Sequence, residues 1–142
     1  MKRHLALVSL SRDHHQGLVH ALRLRRAADD PDARARTAVA RLFLDFFSRE
    51  ALAHFEAEEN GLFRVLARHA GDDLPELVRA LEDHVELQAL AARLAHDVDE
   101  QAAGPELLRT IGTRLHAHIR LEERELFPLV ERLAPNELVA LV

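Results

Sequence analysis

His54-Phe55-Glu56-Ala57-Glu58-Glu59-Asn60-Gly61-Leu62-Phe63 and His118-Ile119-Arg120-Leu121-Glu122-Glu123-Arg124-Glu125-Leu126-Phe127 share one frame, H-x-x-x-E-E-x-x-L-F. Residues four apart project from the same side of a helix, so His54 with Glu58, and His118 with Glu122, each send two polar groups to one face. That face is otherwise apolar. Around the first copy the stripe runs Leu42, Phe43, Phe46, Phe47, His54, Glu58, Leu62, Val65 and Leu66. Around the second it runs Leu108, Ile111, Leu115, His118, Glu122, Leu126, Leu129 and Leu133. Three- and four-residue steps of this kind predict amphipathic helices with one buried side. A shorter echo links Asp13-His14 to Asp83-His84, with His14 among Leu7, Leu10 and Leu18, and His84 among Leu77, Leu81 and Leu87. The chain reads as two helix hairpins. Each gives one His from its first helix and a His/Glu pair from its second.

Helix-end signals divide the chain accordingly. Asp29-Asp30-Pro31-Asp32, Gly71-Asp72-Asp73-Leu74-Pro75, Gly104-Pro105-Glu106 and Ala134-Pro135-Asn136 carry the caps, glycines and first-turn prolines that close one helix and open the next. They leave helices at about 4–28, 33–69, 74–102 and 105–133, and a short helical tail from Glu137 to Leu141. Pro128 removes a backbone donor and predicts a kink near the end of the fourth helix. With 26 Leu and 23 Ala against 12 Val plus Ile, the composition favours helix over strand. Short connections make sequential helices antiparallel neighbours. The expected fold is all-α: an up-down-up-down antiparallel four-helix bundle with a short C-terminal helical tail, one domain over 1–142.

Several function classes drop out. The chain has no Cys, which excludes disulfide frameworks, thiolate zinc sites, iron–sulfur clusters and cysteine nucleophiles. A formal net charge of −5 speaks against a generic nucleic-acid binder. No apolar run approaches the roughly 20 residues needed to span a bilayer. Met1-Lys2-Arg3-His4 and the apolar residues after it lack the length and the cleavage site of a signal peptide, so a cytoplasmic location is expected.

The ten histidines then become the central observation. Burying imidazoles and carboxylates at one level of a bundle costs several kcal/mol per unpaired charge, roughly. A metal ion compensates directly, because it takes neutral imidazole and ionised carboxylate as ligands. Four His and two Glu, contributed by two matching hairpins, form an inventory for two metal ions bridged by carboxylates. Ferritin-like di-iron bundles use E-x-x-H with additional glutamates, an order and spacing this chain does not have.

The pattern His14, His54-x-x-x-Glu58, His84, His118-x-x-x-Glu122 resembles the hemerythrin-like (HHE cation-binding) domain, over essentially the whole chain from His14 to Phe127. The resemblance implies a non-haem di-iron site in a four-helix bundle. It makes His14, His54, His84 and His118 terminal ligands, and Glu58 and Glu122 bridges. His15 shares a doublet with His14 and stays open as the ligand from the first helix. Oxygen-carrying members place two histidines on the third helix, where only His84 falls on the stripe here. Members that repair iron–sulfur clusters carry an N-terminal cysteine pair, which this chain lacks.

The expected cofactor is two carboxylate-bridged irons, with zinc and manganese suited to the same donors. The expected partner is oxygen, nitric oxide or peroxide, bound or sensed. Peroxide decomposition or ferrous oxidation at the same site, and a metal-stabilised interaction bundle, are the alternatives. A homodimer or a protein partner stays open. His20, His69 and His96 read as exposed or capping residues, and His116 points away from His118. Arg3 and His4 are read as closing the open end of the bundle. Glu50 reads either as an acceptor behind a ligand imidazole or as exposed charge. Glu59 and Glu123 read as outward-facing, serving solubility or a contact behind the ligands.

Overall fold

The computed structural model describes residues 2–139. The first helix, α1 (Leu5–Ala28), is capped by His4, whose Nδ1 accepts from the Ala6 N–H at 3.0 Å. The second, α2, covers 33–70; Asp32 caps it by accepting from the Arg34 N–H at 3.0 Å. Gly71 ends it with φ +89, a conformation that suits glycine. Helix α3 (Pro75–Asp99) and helix α4, over 105–133, both begin on proline, which lacks the N–H that a first turn leaves unpaired anyway. A short α5 (Pro135–Val139) follows. No strand occurs among the described residues. The expected tail to Leu141 starts two residues early and is seen through Val139; Ala140, Leu141 and Val142, like Met1, lie outside the described residues.

The third helix stops at Asp99 rather than near 102. Gln101 takes the left-handed backbone (φ 54) that glycine usually fills, so the stop carries no glycine signal in the sequence.

Helix α1 packs on α2 and α4, and α3 packs on the same two. Gly112 allows the close approach of α4 to α1, since a Cβ there would lie 2.7 Å from the Ala21 carbonyl oxygen. The buried apolar residues form two clusters, one on each side of the polar layer. One holds Ala21 and Leu24 of α1, Ala40 to Phe55 of α2, Leu87 to Val98 of α3 and Leu107 to Ile119 of α4. The other holds Leu7, Leu62 to Leu66, Leu77, Ala80, Leu126, Phe127, Val130 and Leu138.

Three residues of the predicted stripes lie outside this core. Leu42 is 57% exposed, and Leu81 and Leu133 are 37% exposed each. Each helical residue turns the side chain by about 100°. The buried side of α2 is centred on Ala40, Phe43 and Phe47, which turns Leu42 outward, and that of α3 on Leu77, Ala80, His84 and Leu87, which turns Leu81 outward.

The helical path widens to π turns at Phe47–Ala51, Glu58–Leu62 and Glu122–Leu126. The Phe63 N–H reaches the Glu58 carbonyl and the Phe127 N–H reaches the Glu122 carbonyl, five residues back in each case. Pro128, which cannot donate, follows directly after the last of these turns. Two of the three π turns therefore begin on the buried glutamates of the repeated frame, and such turns concentrate at functional sites.

Candidate metal centre

The six repeat-derived side chains meet in the layer between the two apolar clusters. Glu58, His84 and Glu122 are 0% exposed, His118 1%, His14 4% and His54 8%. Their donor atoms form two groups, His14, His54, Glu58 and Glu122, and Glu58, His84, His118 and Glu122, with the atoms of each group within 4.8 Å of one another. Both glutamates belong to both groups. The Nε2 atoms point inward: His14 lies 3.0 Å from a Glu122 oxygen, His54 and His84 each 3.2 Å from Glu58, and His118 3.2 Å from Glu122. His15 is exposed and lies outside both groups, because one residue along α1 rotates it off the buried face.

The outward ring nitrogens explain the rest of the repeat. His54 Nδ1 lies 2.9 Å from Asp13, and His118 Nδ1 lies 3.1 Å from Asp83, so the Asp before each first-helix His serves the His on the other helix of its own hairpin. His14 Nδ1 lies 3.1 Å from Glu123. His84 Nδ1 lies 3.8 Å from Glu59, beyond a hydrogen bond. The second Glu of each frame thus faces the His of the opposite hairpin. The closing Phe crosses in the same way: Phe127 stacks on His14 at 5.1 Å and Phe63 on His84 at 5.4 Å. Phe55 covers the other side of His84 at 4.0 Å. An ionised carboxylate only accepts, so an Nδ1 beside one carries the proton and leaves Nε2 as the lone pair facing inward.

Asp13 and Asp83 were legible in the sequence as an echo, but their pairing was not, because it crosses between helices. Glu50 is exposed and does not take the place of Asp13 behind His54.

Without a cation this layer is electrically uncomfortable. His14 Nε2 and His54 Nε2 face each other at 3.1 Å while their Nδ1 atoms lean on carboxylates. Both oxygens of Glu58, one of Glu122, and Nε2 of His84 and His118 are buried with no hydrogen-bond partner. The imidazole–carboxylate approaches at 3.2 Å are ion contacts without hydrogen-bond alignment. Divalent cations seated among these lone pairs would satisfy all of them.

In the metal-free chain, protons fill that role. Burial pushes the His14 imidazole down, but Glu122, Glu123 and Glu58 outweigh it and raise it to about 11. His118 is raised to about 9: burial opposes this, and the charge of Glu122 together with Asp83 prevails. Burial likewise opposes ionisation of Glu58, yet His14, His54 and His84 hold its carboxyl well below the usual range.

A cavity of about 50 Å3 reaches the layer between α1, α2 and α4. Apolar side chains, Phe46, Ala51, Phe55 and Leu115 among them, make most of its wall, and His14, His54 and His118 stand at its inner end. His84 does not border it. The remaining imidazoles have other tasks. His69, with Arg68, pairs with Glu137 and fastens α5 to α2. His20 stacks on Phe46 at 4.2 Å, and His96 is exposed. Arg3 does close the open end: it bonds Glu131 and, at 2.9 Å, Glu123 behind His14.

Fold and site together define a helical protein with a buried His/Glu layer fitted to metal cations. The sequence model of the hemerythrin HHE cation binding domain matches residues 6–130, and the chain belongs to that family. Neither a curated relative nor a solved structure matches it significantly.

Proposed function

We propose that the chain is a non-haem di-iron protein that binds or senses oxygen, nitric oxide or peroxide. The observation that carries this reading is the sharing of Glu58 and Glu122 between two four-residue groups, each completed by two imidazoles. Six protein ligands for two ions leave coordination positions open, and iron bound there supplies a Lewis acid and a redox couple. The chain's own part is to hold Nε2 of four imidazoles inward, to place two carboxylates between the groups and to keep water out. Phe55, Phe63 and Phe127 do the last. The absence of Tyr and Trp removes the common side-chain radical relays, which supports reversible binding over strong oxidation.

The same layer supports the up-down-up-down path. α1 and α3 each begin in the apolar cluster around Leu7 and Leu77 and end in the one around Leu24 and Leu94, whereas α2 and α4 run the other way.

Metal analysis with visible spectra of the reduced protein, before and after oxygen, nitric oxide and peroxide, tests the reading. Two irons per chain, one for each group, with ligand-dependent bands is the expected result. Zinc with a silent spectrum, or no metal, overturns it. Sustained consumption of excess peroxide would move the assignment from binding to catalysis.

A further inference from the structure

Helix α3 turns an apolar strip to solvent. Val78, Leu81 and Val85, three and four residues apart, are 36%, 37% and 70% exposed. They share a shallow groove with Glu82 and Glu86 of α3 and Arg114 of α4. Charges flank the strip in a regular order. Asp73 just before the helix, then Arg79, Glu86 and Arg93 along it, are all exposed. The exposed arginine–carboxylate pairs among the described residues lie elsewhere, at Arg49–Asp45, Arg68–Glu137 and Arg109–Asp29.

We propose that a second copy of the chain packs on this face, α3 against α3, antiparallel about a two-fold axis at the midpoint of Leu81 and Val85. Its physical basis is the order of the charges. In a two-fold contact, residue i of one copy meets residue j of the other, and j meets i. About that midpoint Leu81 of one copy meets Val85 of the other, Arg79 meets Glu86, and Arg93 meets Asp73. The run negative, positive, negative, positive is thus its own complement when reversed. A parallel pairing would set Arg79 on Arg79 and Glu86 on Glu86, and like charges facing each other across a contact are disfavoured. From 73 to 93 the seam runs about 30 Å along the helix, so two copies bury together a strip that neither covers alone. Arg114 lies at its edge and bonds Asp83 at 3.1 Å, which in turn stands behind His118 at 3.1 Å, so the seam borders the support of the buried layer. The contact needs no metal, and failure of the di-iron reading would leave it standing.

Sedimentation velocity on the full chain tests this, with metal content and helical circular dichroism recorded for every sample. At about 100 μM chain and low salt, the expected mass is that of two chains of 16.0 kDa each. Val85→Glu should weaken association by about 100-fold or more and leave the helix content unchanged, since that side chain is largely exposed in the single chain. Glu86→Arg sets two arginines against each other and should weaken association by about tenfold. Arg79→Glu/Glu86→Arg exchanges the signs and should restore it to within about threefold of the wild type. Leu22→Glu, on the exposed side of α1, should change nothing.

A wild-type chain that stays monomeric at that concentration would overturn the proposal. A Val85→Glu chain that still pairs would put the contact on another face and overturn it equally. A double exchange that does not restore what Glu86→Arg loses would overturn the antiparallel two-fold register.

Discussion

The two copies of the H-x-x-x-E-E frame put equivalent ligands into the centre and different supports behind them. Behind His118, Asp83 is 8% exposed in its side chain and carries its own countercharge, Arg114 at 3.1 Å. Behind His54, Asp13 is 50% exposed. Behind His14, Glu123 is tied by Arg3 at 2.9 Å; behind His84, Glu59 stands 3.8 Å away, 41% exposed. A buried carboxylate needs a cationic partner to offset its desolvation, and an exposed one does not. The repeat therefore governs what points inward, while the local depth of each corner decides how firmly each imidazole is held.

Removing what the two halves share should have the largest effect. Glu58→Ala/Glu122→Ala should abolish binding of both metals, whereas His15→Ala and His96→Ala should keep full metal content. Elemental analysis distinguishes these outcomes, and metal retention in the double variant would refute the shared-carboxylate arrangement.

Next comes the contrast between the aspartates. Asp83→Asn should weaken metal binding by about 10–100-fold. It should also destabilise the metal-free chain by about 1–3 kcal/mol, because it leaves Arg114 and His118 short of a buried acceptor. Asp13→Asn should have the smaller effect on both, since solvent reaches that corner. Equal losses, measured by competitive metal titration and urea unfolding, would remove the distinction between buried and wet supports.

Acidity gives a third comparison. His14 at about 11 and His118 at about 9 keep their protons longer in the folded metal-free chain than at the ordinary 6.5. The stability they contribute is complete below about pH 6.5 and is lost as the pH climbs through 9 toward 11. Glu58, Asp83 and Glu123 are held below their ordinary values by the imidazoles they face, against the opposing pull of burial. Their contribution is present above roughly pH 4.5 and is lost as the pH falls. Metal-free protein should thus unfold at higher urea near pH 5.5 than near pH 9.5. Metal entry must expel the histidine protons, so loading at pH 7 should release protons and weaken as the pH falls.

The smallest effect should come from Arg3→Ala, which removes the tie on Glu123 at the half-exposed end. A loss of about 0–1 kcal/mol in unfolding free energy is expected there.

Much of this is legible in the amino-acid sequence. The frame named His54, Glu58, His118 and Glu122, because a four-residue helical step fixes which side chains share a face; the Asp-His echo added His84 and left His14 and His15 open on the first helix. Leu42 and Leu81 show the limit of that logic, since a stripe drawn from spacing alone is too wide by one helical step. Helix starts were readable from Asp32, Pro75 and Pro105, but the stop at Asp99 was not, because Gln101 takes a backbone conformation its identity does not advertise. The second Glu of each frame read as serving either solubility or a contact behind the ligands, and the closing Phe as part of an apolar stripe, without the partner of either. Their contacts with His14 and His84 cross between hairpins, and no periodicity along one helix encodes a distance to another.

The amino-acid sequence by itself determined that the chain is helical, that it carries two matching His/Glu frames, and that imidazoles and carboxylates are buried together. Those are consequences of helical period and of the cost of burying charge, which act residue by residue. Tertiary structure alone decided that His14 rather than His15 joins the layer and which carboxylate leans on which imidazole. It also decided that a cavity reaches His14, His54 and His118. Each of these depends on how neighbouring helices fill space: Phe55 stacks on His84, and Ile119 lies against Gly17 in the wall of the cavity.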